Sequence, residues 1–130
     1  MIMTETYEER LQKRLGQVRI LGEAICSAME TELRRLGFKQ PETLTAHFDS
    51  VEFELSRDPY DGQDSLKGFW RNPHGHTIGN ILFYPDGTFY AEYDVVRPHP
   101  SNRKWFVEAI TVWGRGDNLK TEARLLPNLT

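Results

Sequence analysis

Residues 4–36 carry apolar side chains at the spacing of a helix. Tyr7, Leu11, Leu15, Val18, Leu21, Ile25, Ala28 and Leu36 follow one another mostly at steps of three and four, and Met29 and Leu33 flank the same stripe. That spacing puts one apolar face along a helical rod. Thr6 followed by Glu9 makes a capping box, and the acidic residues of the first turn suit the positive end of the helix dipole. Gly37 can adopt the left-handed cap that ends a helix, Phe38 supplies the apolar contact beyond it, and Pro41 blocks resumption. Gly16 and Gly22 each weaken the run by roughly 1 kcal/mol relative to alanine, which admits a kink or break there. Unbroken, about 31 residues would span roughly 46 Å, whereas strands of ordinary length reach only about 20 to 33 Å. The stripe should then overhang its sheet. A second copy of the chain is the simplest cover, so the pattern predicts a homo-oligomer, a dimer first of all.

After Pro41 the period changes to two. In SVEFELS, Val51, Phe53 and Leu55 share one side while Glu52 and Glu54 share the other. The runs SLKGFWR, TIGNILFY, TFYAEYDVV, RKWFVEAITVW and LKTEARLL follow, separated by DPYDGQD, NPHGH, PDG, RPHPSN and GRGDN. Short strands joined by turn residues predict an antiparallel meander of five or six strands over residues 43–126. The fold class is α+β: one long N-terminal amphipathic helix packed on that sheet, as a single domain over residues 1–130. The YPDGT turn aligns one hairpin, with Pro85 and Gly87 in their favoured turn positions. Phe83 then faces Phe89, Ile81 faces Ala91, Gly79 faces Tyr93, and Asn80 lies opposite Glu92. For the last hairpin, placing Trp113 opposite Leu119 sets Trp105, Val107, Ala109 and Thr111 on one face. Phe106, Glu108, Ile110 and Val112 then share the other with Lys120, Glu122 and Arg124, and Glu108 meets Arg124 as a favourable cross-strand pair.

One sheet face should pack on the helix. The other mixes aromatics, aliphatics and carboxylates instead of the charged, threonine-rich surface of a solvated sheet. This mixture is the composition of a contact surface, and the competing reading is scattered exposed apolar groups. Tyr90, Glu92, Asp94, Phe106, Glu108 and Arg124 are the binding residues this pattern selects.

Composition narrows the classes. The 130 residues suit one core, and the 38% apolar and 27% charged fractions with seven Phe, five Tyr and three Trp argue against disorder. The net charge of −3 offers no basic excess for a nucleic-acid backbone. Charge is uneven: from Gln40 to Leu66, Glu42, Asp49, Glu52, Glu54, Asp58, Asp61 and Asp64 stand against Arg57 alone, which favours a basic partner. Cys26 is the one cysteine, so no internal disulfide forms, and its place on the helix stripe makes it an inert small hydrophobe. No segment has the apolar run of a signal peptide or a membrane span, which makes the expected location cytoplasmic.

FWRNPHGHTIGN holds the most suggestive chemistry. His74 and His76 on a strand would point the same way and could chelate a metal, with His99 of RPHPSN as a third ligand. Gly68, His74, His76, Asn80 and Gly87 have spacings that resemble the first cupin motif. The resemblance covers some twenty residues and implies a divalent metal at His74 and His76. The chain departs from the family at Asn80, where the motif has a metal-binding glutamate, and it has no match to the second cupin motif. The alternative is a polar turn built on Asn72, Pro73 and Gly75. His47 reads as a strand or loop residue. Glu92 and Asp94 share a strand face, roughly 7 Å apart, a spacing used in acid–base pairs when a pocket encloses it. No nucleophile elbow or phosphate loop is present, and Arg115-Gly116-Asp117 reads as a hairpin loop.

These readings favour a self-associating, non-catalytic protein-binding domain without cofactor, of the adaptor, chaperone or immunity-protein kind, that uses the mixed sheet face. The alternatives are a metal-dependent enzyme or sensor on the three histidines, and a small-ligand carrier whose sheet curls around an aromatic cavity.

Overall fold

A computed structural model of the chain describes residues 5–39, 47–72 and 74–129. Helix α1 spans Tyr7–Leu36 without a break at either glycine. The Thr6 hydroxyl accepts from the Glu9 N–H at 3.1 Å while the Glu9 carboxylate reaches back to Thr6, so the capping box forms as its sequence requires. At the other end Gly37 is left-handed, its N–H bonds to Arg34 and the Phe38 N–H bonds to Leu33, which satisfies two of the terminal carbonyls. Gly22 has a packing role. A Cβ there would lie 2.2 Å from the Phe48 ring, so the missing side chain is what seats that ring on the helix.

Six strands follow: β1 Glu52–Arg57, β2 Asp64–Arg71, β3 Thr77–Phe83, β4 Thr88–Pro98, β5 Trp105–Arg115 and β6 Asn118–Pro127. They form one open antiparallel sheet in chain order, with a short 3-10 turn at Phe48–Ser50 ahead of it. The expected helix start at residue 4, strand residues 43–46 and turn residue Pro73 lie outside the described residues. Register in β3–β4 agrees with the turn-based alignment: Phe83 pairs with Phe89, Ile81 with Ala91, Asn80 with Glu92 and Gly79 with Tyr93.

The final hairpin differs. Trp113 pairs with Lys120, not Leu119, because Gly116 and Asp117 alone make the turn and Arg115 pairs with Asn118. Gly116 at φ 59 supplies the positive φ such a two-residue turn needs. The register slips once more at Glu108, between Val107 and Ala109, so beyond the bulge Val107 pairs with Leu125 as first aligned. A one-residue slip exchanges the faces. Ile110 and Val112, expected outside, are therefore fully buried in the core, while Trp113 and Thr111 join the outer face opposite Tyr90 and Glu92.

The core lies between α1 and the inner sheet face, where Ile25, Met29, Leu33, Leu66, Trp70, Ile81, Phe83, Phe89 and Val112 are excluded from solvent. Cys26 is buried beside them, and loss of solvation pushes its thiol up to about 11, so it is inert. The helix crosses the sheet obliquely. The Leu55 N–H of β1 donates to the Tyr7 hydroxyl at 3.0 Å, Arg10 pairs with Asp64 of β2 at 3.4 Å, and Ser101 between β4 and β5 donates to the Leu36 carbonyl at 3.0 Å. A diagonal over strands about 36 Å long and a sheet about 24 Å wide measures roughly 43 Å, close to the helix length of about 45 Å. Most of the stripe is thus covered by the chain's own sheet, with Leu15, Leu21 and Ala28 half-buried and Tyr7 47% exposed. Leu11, Val18, Ile25, Met29, Leu33 and Leu36 are all buried within the one chain.

Candidate functional site

No described element covers the face of the sheet opposite α1. Pairing arranges its side chains in rows that run across the strands. One row holds Glu54, Lys67, Leu82, Tyr90, Trp113 and Lys120; the next holds Glu52, Phe69, Asn80, Glu92, Thr111 and Glu122. An aliphatic and two aromatic side chains therefore stand at the middle of the face with charged groups at its margins.

Beside them lies a polar cluster built from three strands. Glu92 is the hub: its Oε1 accepts from the Tyr90 hydroxyl at 3.1 Å and from Arg124 Nη2 at 2.8 Å. Arg124 comes from β6, two strands away, in line with Ala109 and Asp94, and reaches diagonally across β5 to Glu92. The expected Glu108–Arg124 pair does not form across the ladder, because the two-residue turn sets a register in which Ala109 lies opposite Arg124. Glu108 still lies near enough to act on Asp94. Partial burial pushes the Asp94 carboxyl up to about 6, helped by its hydrogen bond with Glu92 and by the charges of Glu92 and Glu108, while Arg124 opposes the shift. Burial, then the bond to Glu92, also raises the Tyr90 phenol. Three carboxylates thus gather about one guanidinium, which Glu92 holds at 2.8 Å, while Lys67 and Lys120 stand in the neighbouring row.

Two irregularities frame the cluster. The β4–β5 register shifts between Asp94 and Arg97, and Val96 there has φ 53, a conformation unfavourable for a β-branched residue. The second is the Glu108 bulge. Bulges re-aim side chains, and here both flank Asp94.

Of the six residues selected from sequence, Tyr90, Glu92, Asp94, Glu108 and Arg124 come together. Phe106 does not: it sits beyond the bulge, opposite Pro98 and Leu126. Leu82 stands on the face as expected, and Trp113, Thr111 and Phe69 belong to it and were missed. The Gly116-Asp117 turn puts Trp113 and Thr111 on the side of Lys120 and Glu122, and pairing with β4 sets that side beside Tyr90 and Glu92.

The histidines are placed otherwise than a strand-borne chelate requires. His74 and His76 are exposed in the β2–β3 connection, where the Asn72 carboxamide accepts from both of their backbone N–H groups at 2.9 and 3.0 Å. His99 Nδ1 accepts from the N–H groups of Ser101 and Asn102 at 3.0 and 3.1 Å, which makes it an organiser of the β4–β5 loop. Among the described residues no three His, Cys, Asp or Glu side chains gather so as to hold a metal ion. The aromatics invoked for a ligand cavity are divided: Trp70 is in the core, Trp113 is on the outer face, and Trp105 is 39% exposed at a strand end. No described helix is long and apolar enough to cross a membrane. No protein-family model, curated protein or solved structure matches the chain.

Proposed function

We propose that this chain is a non-catalytic, cytoplasmic protein-binding domain that docks a basic partner protein on the outer sheet face. The observation that carries the reading is the shared-guanidinium cluster of Glu92, Asp94, Glu108 and Arg124 beside the uncovered row of Leu82, Tyr90 and Trp113. An aromatic centre with a charged margin is the composition of a protein interface. Holding the Asp94 carboxylate without a full counter-charge is unfavourable in the free domain, and a partner's arginine or lysine would relieve it.

The test is affinity capture from the native host extract by three forms of the protein. Wild type should enrich a basic partner. Asp94→Lys/Glu108→Lys should lose it, and Glu8→Lys/Asp117→Lys, which changes the net charge equally at exposed sites off this face, should retain it. Equal capture by both double variants would remove the proposal.

A further inference from the structure

The two edges of the sheet are finished differently. β1 is six residues long, and the Tyr7 hydroxyl takes the outward N–H of Leu55. β6 is ten residues long, exposed along most of its length, and no described strand lies beyond it. The two-residue turn makes Arg115 and Asn118 a hydrogen-bonded pair, so Lys120, Glu122 and Arg124 direct their backbone groups to β5. Leu119, Thr121 and Ala123 direct theirs outward. An open edge of this kind is a template for another strand unless it is blocked.

The side chains of β6 specify which strand fits. A second β6 laid antiparallel about Thr121 sets Thr121 against itself and Leu119 against Ala123 on the inner side. On the outer side it sets Lys120 against Glu122 of the other copy, twice by symmetry. Centring on Glu122 would oppose that carboxylate with itself and Lys120 with Arg124. Centring on Ala123 would draw on Arg124, which Glu92 already holds at 2.8 Å. On the inner side, Ala24, Ser27, Ala28 and Thr31 of α1, with Glu32 (paired to Arg35) at one end, line a groove of about 380 Å³ that reaches Thr121. A two-fold axis perpendicular to the sheet places both helices on the same side with these small residues facing each other, which leaves room for the inward side chains of the joined strands.

We propose that β6 is a homodimerisation edge, with two copies paired antiparallel about Thr121 into one continuous sheet. This stands apart from the outer-face reading and from the helix-overhang argument for a dimer, since its basis is the bare edge and its self-complementary charge.

Sedimentation velocity on the full chain tests it. Wild type should approach twice the 15.1 kDa chain mass as concentration rises. Lys120→Glu and Glu122→Lys should each weaken the dimer by about tenfold or more, because symmetry turns one substitution into two like-charge contacts. Mixing the two single variants, or combining them in one chain, should restore it. Thr121→Pro removes an outward N–H while sparing the β5 ladder, and should give a folded monomer by circular dichroism and sedimentation. A wild type monomeric at every concentration would overturn the proposal, as would a dimer indifferent to the charge reversals.

Discussion

Strand β4 presents two surfaces built from alternate residues of one segment. Inward, Phe89 and Ala91 are 3% and 0% exposed and meet Gly114 and Val112 on β5, with α1 closing the layer. Outward, Tyr90, Glu92 and Asp94 are half-buried by their strand neighbours alone. The inner side is settled by packing. On the outer side partial burial and the neighbouring carboxylates hold the Asp94 carboxyl at about 6, well above the ordinary carboxylate range. The inner face is the source of stability, and under the proposed function the outer face is the side that meets a partner.

The sharpest separation of the two faces is a pair of truncations. Phe83→Ala empties a side chain that is 2% exposed in the core and should cost about 3–5 kcal/mol in urea unfolding. Tyr90→Ala should cost about 1 kcal/mol, the scale of one partly exposed hydrogen bond and some lost contact. Comparable losses would erase the division between the faces.

Asp94→Asn should move stability the other way. A carboxyl held above its unfolded value binds its proton more tightly in the native state, so native stability falls as pH rises from about 4 through about 6. Asparagine removes that burden. At pH 7 the variant should be more stable than wild type by about 1 kcal/mol, a value discounted for the partial exposure of the site. The gap should close below about pH 4. Urea midpoints across that range read it directly, and a variant less stable than wild type at pH 7 would show that Asp94 serves the fold.

The helix, its caps, the meander and the β3–β4 register were legible in the sequence, because each rests on local rules. Thr6 and Glu9 lie three residues apart, Gly37 follows the last turn, and the YPDGT turn counts its own strands. What escaped was non-local. Whether a helix of this length overhangs depends on its angle to the sheet, and only contacts such as Tyr7 with Leu55 and Ser101 with Leu36 set that angle. The Glu108 bulge cannot be read from alternation, because an extra residue leaves the same apolar and polar types on either side of it. The one-residue difference in the last turn, not the bulge, is what places Arg124 opposite Ala109 and within reach of Glu92. His74 and His76 show the converse case: their spacing suggested chelation, yet Asn72 and Gly75 fold that segment as a turn and not a strand.

The central claim, that the outer face is the docking surface, meets its most direct test in crosslinking mass spectrometry of the captured complex with an amine-reactive reagent. Lys67 and Lys120 lie in the outer-face row on either side of Leu82, Tyr90 and Trp113, while Lys13 is on the exposed side of α1. The account predicts partner crosslinks at Lys67 and Lys120 and none at Lys13. Crosslinks concentrated at Lys13, with Lys67 and Lys120 as reactive in the complex as in the free protein, would contradict it.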